Sequence, residues 1–237
     1  MKRALSTGLA LLFAASFLAL GVWQVERRAW KHDLIAAVDA RVHAGAVAAP
    51  GPAAWRDLTV AKDAYRRVRV SGHFRHDREV LVKAVTELGG GYWVMTPLET
   101  RHFTILVNRG FVPPARRDAA TRPGGNPAGK VTVTGLLRFS EPGGAFLRAN
   151  DPAGDRWFSR DVAAIASARR LGPVAPYFID ADASANAGGY PVGGLTVVRF
   201  PDNHLVYALT WFALAGLSLF FAWRLWNLDR LRSNIAP

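Results

Sequence analysis

The sequence predicts an α+β membrane protein: two transmembrane helices, one near each end, flanking one antiparallel β-rich extracytoplasmic domain with two short helices. Three observations predict it. Thr7 to Val25 and Leu205 to Trp223 are each 19 residues without a charge, about 28 Å of helix at 1.5 Å per residue against a hydrocarbon core of about 30 Å. Between them, short β-branched and aromatic runs alternate with Gly, Pro and Asp, the pattern of strands and turns. Two stretches interrupt that pattern with helical spacing.

The expected division is a cytoplasmic N-terminus (1–6), a first transmembrane helix (7–25), a periplasmic domain (26–203), a second transmembrane helix (204–224) and a cytoplasmic tail (225–237). A cleavable signal peptide competes for the first segment, since Lys2 and Arg3 precede the apolar run. The run exceeds a typical h-region of roughly 7–15 residues and no small-x-small site follows closely, which favours an anchor. The start is too short for an import leader, so the expected location is a bacterial plasma membrane. Lys2 and Arg3 at one end, and Arg224, Arg230 and Arg232 at the other, place both termini in the cytoplasm. Arg27, Arg28 and Lys31 do not oppose this, because long loops are largely exempt from the positive-inside rule.

Within the domain, Arg27 to Ala44 carries Trp30, Leu34, Ala37, Val38 and Val42 at spacings of three and four, an amphipathic helix leaving the membrane. Gly45 and the Ala/Pro/Gly stretch to Ala54 end it. Tyr65 to Phe74 and Glu79 to Val85 read as strands, with Gly89-Gly90-Gly91 as a hairpin turn before Tyr92 to Leu98. Phe103 to Val107 is a continuous apolar run suited to a buried strand that continues to Val112, where Pro113-Pro114 stop it. Arg116 to Lys130 reads as a loop and Val131 to Leu137 as a strand, which Phe146 to Arg148 extends. Ser159 is a candidate cap for a short helix from Arg160 to Leu171. Tyr177 to Asp180 is a strand, Ala181 to Gly194 a mobile loop, and Leu195 to Phe200 a last strand entering the second span. The count fits an antiparallel sheet or partly open barrel.

Composition excludes several functions. The chain has no cysteine, so neither a disulfide framework nor covalent c-type haem is possible. Its two methionines, Met1 and Met95, make a poor soft-ligand set for copper. No hydrolase, metalloprotease or nucleotide-binding signature is present, so no residue is assigned a catalytic role. Thirty Lys and Arg oppose 18 Asp and Glu, but an extracytoplasmic domain meets membrane lipid, acidic proteins or carboxylates and no nucleic acid.

One constellation remains. In Pro201-Asp202-Asn203-His204-Leu205-Val206-Tyr207-Ala208 an imidazole opens the second membrane helix, behind two capping residues. His204, Tyr207, Ala208 and Trp211 share a helical face. The positive end of a helix favours the neutral imidazole, the form iron ligation requires. The competing reading is an interfacial histidine that only caps the helix or meets headgroups.

Five blocks carry a resemblance. They are Leu20-Gly21-Val22-Trp23-Gln24-Val25-Glu26-Arg27-Arg28-Ala29-Trp30-Lys31, Tyr65 to Phe74, Gly91-Tyr92-Trp93-Val94-Met95-Thr96-Pro97-Leu98, Val107-Asn108-Arg109-Gly110-Phe111-Val112-Pro113, and Asn203-His204-Leu205 to Phe212. Together and in this order the chain resembles the surfeit locus protein one family. The resemblance implies an assembly factor for haem–copper cytochrome c oxidase that binds haem a and assists its insertion into subunit I. It implies His204 as the haem iron ligand and no other metal, subunit I as partner, and haem a synthase as a possible second one. Arg27, Arg28 and Arg199 are the candidate partners of the haem propionates. The alternatives are a haem-free scaffold that stabilises partly assembled subunit I, and an enzyme of haem or lipid modification, for which no acid–base pair is visible.

Overall fold

The computed structural model describes residues 2–145, 147–184, 186–198 and 200–233. The chain forms two compact units, residues 38–198 and the pair of terminal segments. Helix α1 (Lys2–His43) runs for 42 residues, so the apolar run and the stretch expected as a separate amphipathic helix are one element. No Gly or Pro falls between Val22 and His43, so nothing breaks the backbone ladder where the apolar run ends.

Residues 38–198 hold seven strands: β1 (Val47–Ala48), β2 (Arg67–Phe74), β3 (Val80–Thr86), β4 (Gly89–Glu99), β5 (Thr104–Val112), β6 (Lys130–Phe139) and β7 (Val174–Ala181). A one-turn helix α2 (Val60–Asp63) lies before β2, and α3 (Val162–Ala168) between β6 and β7. The sheet order is β1-β2-β6-β7-β5-β4-β3, and β2 also pairs with β4 through His73↔Glu99 and Phe74↔Leu98. That pairing closes a five-strand barrel, β2-β6-β7-β5-β4. Of the two expected forms, an antiparallel sheet or a partly open barrel, the barrel is found, and the purely antiparallel pairing is corrected: β5 and β7 run parallel, as do β1 and β2. A closed ring with an odd number of strands cannot alternate direction all the way round, so at least one parallel pair is forced, and here it is β5·β7.

Val68, Leu98, Ile105, Val107, Leu137, Tyr177 and Ile179 fill the interior, none more than 0% exposed. Alternate residues of the same strands point outward, where Leu106 and Phe178 join Met95, Trp157, Val162 and Ile165 beneath α3. Both faces of β5 are therefore covered, which explains its unbroken apolar run. Burial of each such side chain contributes about 1.5–3 kcal/mol.

Three further expectations change. The β3–β4 turn is Glu87-Leu88, and the triple glycine lies inside β4, where a Cβ on Gly91 would collide with the Val112 carbonyl and the Phe111 ring. Asp161, not Ser159, caps α3 by accepting the Ala164 N–H at 3.1 Å. Ser159 Oγ accepts instead from Gly144 N and Asn150 Nδ2, both at 3.0 Å. Residues 195–198 form no strand, because β7 already has β5 and β6 on its two edges. Thr196 is held by its hydroxyl, which donates to Asp180 Oδ2 at 3.0 Å. The preceding loop is pinned by Val192 bridging Phe111. Phe146 and Arg199 lie outside the described residues.

Candidate functional site

The terminal unit is built by α1 and α4 (His204–Ser233). Both are long and apolar enough to cross a bilayer: 39 residues from Leu5 with a mean hydropathy of 2.0 in the best window, and 24 from His204 with 1.9. They meet along small residues at heptad spacing. Ala208, Ala215 and Ala222 are at most 5% exposed on α4, and Ala14 is equally covered on α1. Gly21 leaves room for the ring of Phe212, which any Cβ there would strike. Phe17 and Trp211 stack at 5.7 Å. Small residues that let two helices approach closely are what drives pairing where lipid removes the hydrophobic incentive.

At the head of this seam stands His204. Its backbone N–H donates to Asp202 Oδ1 at 3.1 Å, and Tyr207 N–H reaches the Asn203 carbonyl at 3.2 Å, so the Asp-Asn pair caps α4 as its sequence suggests. The same carboxylate ties the cap to α1: His32 Nε2 donates to Asp202 Oδ2 at 2.7 Å, and Arg28 Nε lies 3.4 Å from that oxygen. The Lys31 ammonium donates to the Pro201 carbonyl. The hydrogen bond from His32, reinforced by His204 N–H and by Arg28, holds the Asp202 carboxyl below its ordinary value.

The imidazole has a partner that sequence reading did not single out. His204 Nδ1 lies 2.7 Å from Gln24 Oε1; an amide oxygen only accepts, so Nδ1 carries the proton. In the neutral ring Nε2 then keeps its lone pair, and among the described residues it has no hydrogen-bond partner. Gln24 is buried at 9% exposure. Its signal in the sequence is an uncharged polar residue at the end of an apolar run.

His204 lines a cleft of about 300 Å³ with Val25, Ala29, Leu205 and Ala208 as an apolar floor and Arg28, His32 and Asp33 around it. Of the three arginines proposed for propionates, Arg28 is at the cleft. Arg27 packs over the Trp30 ring at 3.9 Å, and Arg199 is outside the described residues. Tyr207 is 54% exposed, so the expected stripe narrows to His204, Ala208 and Trp211 on the side of α1. The donor set fits a haem in kind: an imidazole nitrogen, apolar walls and a cationic rim.

The barrel has polar clusters of its own. Asp180, 3% exposed, accepts from Asn108, Arg138, Arg160 and Thr196 at 2.8–3.0 Å beside a cavity of about 390 Å³. Arg138 and Arg160 also bind Glu141, so these charges satisfy one another and act structurally. Arg109 and Arg122 are buried with Glu79: Arg122 donates to its Oε1, and Arg109 Nη1 lies 4.0 Å from Oε2. Burial pushes the Arg109 guanidinium down to about 10, still charged at neutral pH.

Two membrane-length helices that meet at a capped, amide-bound histidine, with a five-strand barrel between them in sequence, define the class of protein. The model of the SURF1 family matches residues 11–216. The chain is 36% identical to Surfeit locus protein 1 of Mus musculus, over 87% of this chain and 71% of that one. It is also 36% identical to Surfeit locus protein 1 of Homo sapiens, over 87% and 72%. A SURF1-like protein of Monosiga brevicollis is 37% identical over 84% and 79%. The chain belongs to the SURF1 family.

Proposed function

We propose that this chain is an assembly factor for haem–copper cytochrome c oxidase that carries haem a as cargo and assists its insertion into subunit I. The observation that carries the reading is Nε2 of His204, without a hydrogen-bond partner among the described residues, in a cleft with an apolar floor and a cationic rim. His204 is the iron ligand. Val25, Ala29, Leu205 and Ala208 take the apolar ring edge and the long tail, and Arg28 meets a propionate. No acid–base pair is needed, since the cargo is bound and passed on unchanged.

The two apolar helices span a bacterial plasma membrane, with both termini in the cytoplasm and residues 26–203 in the periplasm. There the cleft opens at the bilayer surface, within reach of membrane-bound partners: haem a synthase as the source of the cargo and subunit I as its destination. Membrane lipid surrounds the helix pair.

The second reading is a haem-free scaffold for partly assembled subunit I. It is favoured by the cap itself, since Asp202, His32 and Arg28 explain an ordered α4 start without any ligand. Copurification separates the two. The protein is purified in detergent from cells that make haem a, beside His204→Ala, and both are assayed as pyridine haemochromes. Haem a in the parent and its loss in the variant is the expected result. A folded parent without haem, still bound to subunit I, selects the scaffold.

A further inference from the structure

We propose that Gln24 is a positioning residue for His204. Its Oε1 accepts the Nδ1 proton, holding the imidazole in the tautomer whose Nε2 lone pair is free and fixing the ring at the cleft. The inference deepens the haem-carrier reading and rests on it for its consequence, though not for its geometry.

An uncharged side chain capable of four hydrogen bonds stands at the end of 19 residues without charge, buried between two apolar helices, where an unsatisfied amide costs several kcal/mol. The 2.7 Å contact to His204 gives the amide oxygen its partner. It also selects a tautomer, because a free neutral imidazole exchanges its proton between two nitrogens and only an acceptor on one side biases the choice. His204 N–H and Asp202 hold the backbone of this residue; Gln24 alone among the described residues holds its ring. Partners of this kind orient ligating histidines elsewhere, and their loss typically costs about 10–100-fold in metal affinity.

The test uses full-length protein in detergent with ¹⁵N-labelled histidine and three chains: parent, Gln24→Leu and Gln24→Glu. Without haem, at about pH 8, ¹⁵N shifts report the protonation and tautomer of the ring, the His204 signals being identified by subtraction with His204→Ala. The parent is expected to show Nδ1–H. Gln24→Leu shifts toward Nε2–H, and Gln24→Glu, which keeps an acceptor, restores Nδ1–H. Haem a titration then gives an affinity about 10–100-fold weaker in Gln24→Leu and recovered in Gln24→Glu. An unchanged tautomer in folded Gln24→Leu overturns the proposal, as does a shifted tautomer in a chain that binds haem as tightly as the parent. A parent that binds no haem while the tautomer moves as expected sinks the carrier reading and leaves the Gln24 clamp standing.

Discussion

Asp202 serves two elements at once, and its protonation state decides both. Its carboxyl is held below the ordinary range by His32, so its contribution is present above the unfolded carboxylate value of ~3.9 and is lost as pH falls through the folded value. Acidification below that range is expected to uncap α4, seen as faster amide exchange at His204 to Tyr207; unchanged exchange down to pH ~2 would contradict the role. Glu79 is the other sensitive residue. Glu79→Gln leaves Arg109 and Arg122 buried without their countercharge, and removal of one partner from a buried pair costs about 3–5 kcal/mol. A thermal midpoint within a degree of the parent would remove that cluster from the stabilising interactions. At this scale the sequence was partly legible. His204 stood out as an ionisable group at the start of an apolar helix, whereas Gln24 did not, because its partner is 180 residues away. Glu79, Arg109 and Arg122 come from different strands and loops, and no spacing announces such a cluster.

Elements obey constraints that a linear pattern reveals unevenly. Strand positions in β2 to β7 follow from alternating or continuous apolar runs, so each was readable to within a few residues. Closure was not, since it depends on the pairing of Phe74 with Leu98 across 24 residues, and once the ring has five members a parallel pair follows without any local signal. Gly110 in β5 shows a backbone requirement hidden inside a recognisable motif. Its φ is +124°, and a Cβ would run into the Val192 carbonyl. Gly110→Ala therefore combines a strained conformation with a collision against the segment that pins the 181–194 loop. Denaturation is expected to show a loss of more than about 2 kcal/mol, and a neutral effect would mean that Val192 moves freely. In the helix pair, Gly21→Leu forces the Phe212 ring out of the seam. Haem a binding should weaken while the barrel keeps its far-UV signature and melting point, because the barrel core shares no residue with that seam.

For the whole molecule, the distribution of charge and grease motivates the proposed topology, and the absence of cysteine makes it measurable. Single cysteines at Val85, which is 90% exposed on β3, and appended to either end can be labelled with a membrane-impermeant maleimide in spheroplasts. Val85→Cys is expected to react in intact cells and the terminal cysteines only after permeabilisation; the reverse pattern would invert the orientation. Family membership was legible because its motifs mark the middle of α1, the start of α4 and the strands between them. The candidate site was legible only in outline: the sequence offered His204 and three arginines, and folding brings Gln24 to the imidazole and Arg28 and His32 to the same cleft while directing Arg27 elsewhere.

The central claim is that Nε2 of His204 ligates haem a. Electron–nuclear double resonance on the ferric haem, in full-length protein carrying ¹⁵N-histidine, tests it directly beside His204→Ala. We expect a directly bonded ¹⁵N coupling in the parent that disappears from the variant. The same coupling persisting in His204→Ala would place the iron on another of the six histidines and contradict the assignment.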